Sequence, residues 1–130
     1  MKSTSSPALF DLRGRTALVT GSSRGIGLAL ARGLAESGAK VILNSRQTAA
    51  VDEAVAGLRS LGLDVQGAAF DVADQASVDA AFAQFDHAGL AIDILVNNAG
   101  IQHRQPMLDV SLDDWNRVIN TNLTAAFLVG

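Results

Sequence analysis

The eight residues Thr20-Gly21-Ser22-Ser23-Arg24-Gly25-Ile26-Gly27 carry the clearest chemical pattern in the chain. They follow the apolar run Ala17-Leu18-Val19 and open into a helical pattern, which sets them at a strand-to-helix turn. Each glycine has its own task there. Gly21 permits a tight turn, Gly25 lets a phosphate approach bare backbone, and Gly27 lets the helix pack close to the strand. The start of a helix offers unpaired N–H groups and a partial positive charge, which suits a pyrophosphate. Ser23, Arg24 and Ile26 belong to the same turn. The spacing is GxxxGxG, not the commoner GxGxxG, and a glycine-rich turn alone also serves ordinary strand–helix connections.

Three further stretches bear on the same ligand. About 20 residues past the glycines of a nucleotide-binding turn, an acidic side chain usually holds the 2′-hydroxyl of NAD. Ser45 and Arg46 stand there instead, with no carboxylate. A carboxylate would repel a 2′-phosphate, whereas an arginine binds one through charge-assisted hydrogen bonds. Arg24 is placed to approach the same group, so NADP(H) is expected over NAD(H); the alternative is a pair of solvated surface arginines. Asp71 and Val72 suit the adenine, the carboxylate accepting from its amino group, although Asp71 is also suited to an Asx turn. Asn97-Asn98-Ala99-Gly100 puts two amides and two very small residues at a strand end, leaving room for a ribose.

Asn122 lies among Trp115, Val118, Ile119, Ala126 and Phe127 by helical spacing. A buried amide needs partners or costs about 1–3 kcal/mol. It is either a structural clamp or a link in a proton relay through water.

The elements that must position these groups follow from hydrophobic pattern. Strands are expected at 15–20, 41–44, 65–70 and 92–96, the third weakened by Gly67. Helices are expected at 26–37, ended by Gly38, and at 50–61, capped by Thr48 and ended by Gly62. The second carries a stripe of Val51, Ala54, Val55, Leu58 and Leu61. A third begins after Asp74 with the stripe Val78, Ala81, Phe82 and Phe85. The last is expected at 111–129, where Ser111 and Asp114 resemble a capping box. Alternation of this kind implies an α/β, doubly wound parallel sheet of the Rossmann type. In such sheets ligands sit beyond the carboxyl ends of the strands, where all four motifs fall.

Composition sets the outer bounds. The chain has 130 residues, suited to one domain, and 48% of them are hydrophobic, ample for a core. A formal net charge of −3 gives no electrostatic case for nucleic acid. Without cysteine there are no disulfides or thiolate metal sites, and a reducing, cytoplasmic setting is compatible. No apolar run approaches membrane-spanning length. Residues 1–11 are Ser-rich and read as a flexible tail, with 12–130 as the nucleotide-binding unit. His87 and His103 belong to no cluster that favours a metal.

Together, TGSSRGIG, NSR, DV, NNAG and NTNL resemble the single-domain short-chain dehydrogenase/reductase family, over about residues 10–130. Within it, FDLRGRTALVTGSSRGIG and GIQHRQP are similar to the gluconate 5-dehydrogenases. The resemblance implies NAD(P)-dependent interconversion of a secondary alcohol and a ketone. It further implies a tyrosine acid/base, a lysine that lowers its pKa, a serine that orients the carbonyl, and an asparagine relay that matches Asn122. The sequence has no tyrosine, and it stops before the serine and YxxxK segment of the family would begin. The chain is therefore expected to be the N-terminal half of the enzyme, incomplete at its C-terminus, with weak NADP(H) binding and no turnover alone. The expected substrate is a sugar acid, polyol or other small ketone, since Gln102, His103 and Arg104 make a cationic loop. A 3-oxoacyl carrier-protein reductase shares these motifs, and a non-catalytic nucleotide-binding module is the reading if no YxxxK follows. A homodimer or homotetramer is expected, using the apolar end of the last helix.

Overall fold

The structure, a computed structural model, describes residues 11–99 and 112–113. Seven elements alternate through the first of these segments. They are β1 (Thr16–Val19), α1 (Gly25–Glu36), β2 (Lys40–Ser45), α2 (Thr48–Arg59), β3 (Val65–Ala69), α3 (Gln75–His87) and β4 (Ile94–Val96). The strands form one parallel sheet in the order β3-β2-β1-β4. The expected doubly wound parallel architecture is thus observed, and the chain reverses direction across the sheet at β1, between β2 and β4.

Strand alternation divides the core between two faces. Ala17, Val19, Val41, Leu43 and Val65 point to one side, where Ala31 and Ala35 of α1 and Val51, Ala54, Val55 and Leu58 of α2 cover them. Leu18 and Ile42 point to the other and pack with Phe70, Val72 and the α3 residues Val78, Ala81 and Phe85. Phe85 meets Phe70 edge-on with ring centroids 6.5 Å apart. Because both faces are covered, β1 and β2 read as continuous apolar runs rather than as alternating ones.

Three expectations need adjustment. Gly67 does not weaken β3. A Cβ at that position would collide with the Val51 side chain, so the glycine is what lets α2 lie against the sheet. Thr48 is the first residue of α2 rather than its cap; Gln47 holds the cap position without a side-chain bond, and its N–H donates to Ser45 Oγ at 3.3 Å. Leu61 lies past the end of α2 and is 54% exposed, outside the buried stripe. Asp74 caps α3 as expected, accepting from Ala76 N at 3.1 Å. Gly38 and Gly62 follow helices with φ of 104° and 80°, the left-handed geometry that ends them. Of the expected tail only Asp11 is described. Its carboxylate accepts from Arg13 Nε at 2.9 and 2.8 Å, and this bonding holds the Asp11 carboxyl below its usual pKa. The expected helix at 111–129 lies outside the described residues except for Leu112 and Asp113, which are helical.

Candidate functional site

The glycine turn joins β1 to α1 at the point of reversal. Gly21 and Gly25 have φ of 60° and 63°, a region open to glycine at little cost. A Cβ on Gly25 would meet nothing within 4 Å, so the backbone there is open to a ligand. A Cβ on Gly27 would strike the Gly21 carbonyl oxygen and the Asn98 amide, so α1 can start this close to the strand ends only without one. No side chain caps α1, and its first turn carries no acidic residue. The free N–H groups and positive end of the helix dipole are therefore left for an anion. Arg24 and the 75% exposed Ile26 stand beside them, while Ser23 is half-buried.

The ends of the neighbouring strands are tied to this turn by buried polar side chains. Thr20 Oγ1 accepts from the N–H groups of Asn98 and Ala99, each at 3.0 Å. Asn98 Nδ2 donates to the Gly21 carbonyl at 3.0 Å. On the other side, Ser22 Oγ donates to Val19 O at 2.7 Å and accepts from Asn44 N at 2.9 Å. The Asn44 side chain accepts from Gly21 N at 3.1 Å and donates to Ala68 O and Phe70 O at 3.1 and 3.2 Å. Ser45 and Arg46 close β2 directly after it, Ser45 half-buried and Arg46 exposed.

Asp71 follows β3 and makes the Asx turn that its type allowed: Oδ1 accepts from Ala73 N at 3.0 Å. Its own N–H donates to Ser77 Oγ at 2.9 Å. The turn and an adenine contact are compatible, because the second carboxylate oxygen is not used by the turn. Val72 is 5% exposed and its side chain belongs to the core, which leaves its backbone for a ligand.

The expected positions Gly21, Ser23, Arg24, Gly25, Ile26, Gly27, Ser45, Arg46, Asp71, Val72, Asn98 and Ala99 thus all fall on the carboxyl-terminal edge of the sheet. Gly100 and Asn122 lie outside the described residues, as do Gln102, His103 and Arg104. Thr20, Ser22 and Asn44 were missed as organisers of this edge. They are the buried polar residues among those described; polar types at the ends of otherwise apolar strands were the available signal. Among the described residues no group of three His, Asp or Glu side chains could hold a metal.

A family model described as short chain dehydrogenase matches residues 15–130. The chain belongs to that family. The gluconate 5-dehydrogenase of Gluconobacter oxydans (strain 621H) is 49% identical over 126 residues, covering 97% of this chain and 49% of the relative. A crystal structure of a gluconate 5-dehydrogenase from Burkholderia cenocepacia J2315, in complex with NADP and tartrate, is 48% identical with a TM-score of 0.87, covering 92% of this chain and 47% of that one. A less similar relative, the 3-oxoacyl-[acyl-carrier-protein] reductase of Aquifex aeolicus (strain VF5), is 40% identical over 121 residues, or 91% of this chain and 48% of the relative. The chain spans about half the length of the relatives it matches.

Proposed function

We propose that the full-length protein is an NADP-dependent oxidoreductase that interconverts a secondary alcohol and a ketone, with gluconate and 5-ketogluconate as the leading substrate pair. The observation that carries this reading is the pairing of an uncapped α1 with a β2 end that has an arginine and no carboxylate. The first suits a pyrophosphate and the second a 2′-phosphate. The open backbone at Gly25 fits the same ligand, and the close packing at Gly27 brings the start of α1 up to the strand ends where that ligand would lie.

In this reading the α1 amides and Ser23 hold the pyrophosphate, and Arg46 with Arg24 grips the 2′-phosphate. Asp71 and the Val72 backbone receive the adenine. Asn98, Ala99 and Gly100 leave space for the ribose, and Ile26 shields the turn from water. When bound, NADP supplies hydride exchange with the carbinol carbon. Asn122 is proposed to pass the accompanying proton through water. The tyrosine that the family resemblance implies as acid/base is not among these 130 residues.

Residues 12–130 are proposed as the nucleotide-binding half and 1–11 as a tail. A small polyhydroxy-acid substrate is supported by the similarity to a gluconate 5-dehydrogenase and by the cationic residue Arg104 beside the polar Gln102 and His103. No helix among the described residues is long and apolar enough to cross a membrane. A cytoplasmic homodimer or homotetramer is part of the proposal, with the apolar run 125–129 in the subunit contact.

The test is oxidation of NADPH by the full-length protein with 5-ketogluconate and, separately, a 3-oxoacyl thioester. Faster turnover of the keto acid is expected. Preference for the thioester favours the carrier-protein reductase reading, which the Aquifex relative supports. NADPH binding without turnover of any ketone leaves the nucleotide-binding module.

A further inference from the structure

We propose that Asn44 is a positioning residue that couples the two halves of the dinucleotide site, so that filling the adenosine end stiffens the pyrophosphate turn. The inference rests on the NADP reading above. Asn44 is 1% exposed, directly after the wholly buried run Val41-Ile42-Leu43. An apolar side chain would bring no polar atoms of its own to satisfy in such a place, whereas a buried amide is tolerated only when its partners are all present.

Every polar atom of Asn44 has a partner, and the partners lie on different parts of the site. Oδ1 accepts from the Gly21 amide, inside the glycine turn. Nδ2 donates to Ala68 O and Phe70 O at the end of β3, immediately before Asp71. The main chain of Asn44 bonds Ser22 in both directions, its N–H to Oγ and its carbonyl to the Ser22 N–H at 2.8 Å. Two residues further along the chain, just past the end of β2, stands Arg46. One side chain therefore links the proposed pyrophosphate turn, the adenine wall and the strand end that bears the 2′-phosphate arginine. Donors on one side and acceptors on the other also fix which way the amide faces. Ordering either end reduces the freedom of the other, which is coupling through conformational entropy.

The first measurement uses the unmodified full-length protein and 2′-AMP, which lacks the pyrophosphate. Amide hydrogen exchange at Gly21 and Ser22 is expected to slow by at least about fivefold on saturation, and to do so equally in an Arg24→Ala control, which removes the turn's own contact with the 2′-phosphate. Exchange at those two amides unchanged by bound 2′-AMP overturns the coupling. Failure of both 2′-AMP and NADPH to bind overturns instead the NADP reading beneath it.

The second measurement uses Asn44→Asp, which keeps an acceptor for Gly21 N–H and loses the donors to β3. In the folded variant the dissociation constant for NADPH and that for adenosine 2′,5′-bisphosphate are expected to rise together by about tenfold, and KM for NADPH by more than kcat falls. A lower melting temperature with both constants within about twofold of the parent would reduce Asn44 to a structural role and sink the proposal.

Discussion

The side-chain amide of Asn98 donates to the carbonyl of Gly21 across 77 residues of sequence, at 3.0 Å, and Gly27 lies against that bond. The β4 end and the glycine turn are thereby held as one surface. A methyl at position 27 would meet backbone as well as side chain, so relief requires the turn or β4 to move. Gly27→Ala is expected to cost about 1–3 kcal/mol of stability, the usual range for overpacking. NADPH affinity should fall as well. Equilibrium urea unfolding and fluorescence titration check both, and an unchanged pair of values would show that the close approach is not required.

Thr20→Val keeps shape and removes the acceptor shared by the Asn98 and Ala99 amides. Leaving partly buried donors unpaired costs about 1–3 kcal/mol. The variant should unfold at lower denaturant with an unchanged m-value, and Thr20→Ser should recover much of the loss. A Ser variant no better than Val would mean that the hydroxyl bonds contribute little.

Asp71→Asn retains an oxygen for the Ala73 amide, whereas Asp71→Ala removes it. The alanine variant is expected to lose both stability and NADPH affinity. The asparagine variant should keep stability, and its NADPH dissociation constant should rise by several-fold if the second carboxylate oxygen meets the adenine. Circular-dichroism melts beside NADPH titrations separate the two effects; equal affinities for Asn and Asp would confine Asp71 to the turn.

If the proposed relay holds, Asn122→Ala in the full-length protein is expected to lower kcat by about 10²-fold, the low end of the about 10²–10⁴-fold typical of acid–base catalysis. The dissociation constant for NADPH should change little. Steady-state kinetics beside a thermal melt decide the matter: full turnover with a lower melting temperature would leave only the clamp.

Much of this organisation was legible in the chain because the signals are local. Apolar runs at β1 and β2 and helical stripes in α2 and α3 are set by burial on two faces or one, which sequence period reports directly. Gly38, Gly62 and Asp74 acted where their types place them. Gly67 misled because its reason lies in another element, the Val51 side chain of α2, and a glycine in a strand carries no mark of what lies over it. Thr48 misled because the turn before α2 is held by Ser45 rather than by a cap.

The site residues were legible as positions on a strand edge and not as a network. Asn44 stood in view beside Ser45 and Arg46, but its partners at Gly21, Ala68 and Phe70 are 23 to 26 residues away. Such partners become visible only once β1, β2 and β3 are paired in register. The same holds for Thr20 and its bonds to Asn98 and Ala99, which depend on β4 lying beside β1.

The claim that this edge takes NADP(H) is tested most directly at Arg46, by titrating NADPH and NADH against the full-length protein and its Arg46→Glu variant. The parent is expected to bind NADPH at least about tenfold more tightly than NADH, a difference of about 1.4 kcal/mol. Charge reversal at position 46 should abolish that preference while leaving NADH affinity within a few-fold, because only the 2′-phosphate distinguishes the two ligands. Equal affinities in the parent, or an equal loss for both cofactors in the variant, would contradict the assignment of the 2′-phosphate to this arginine.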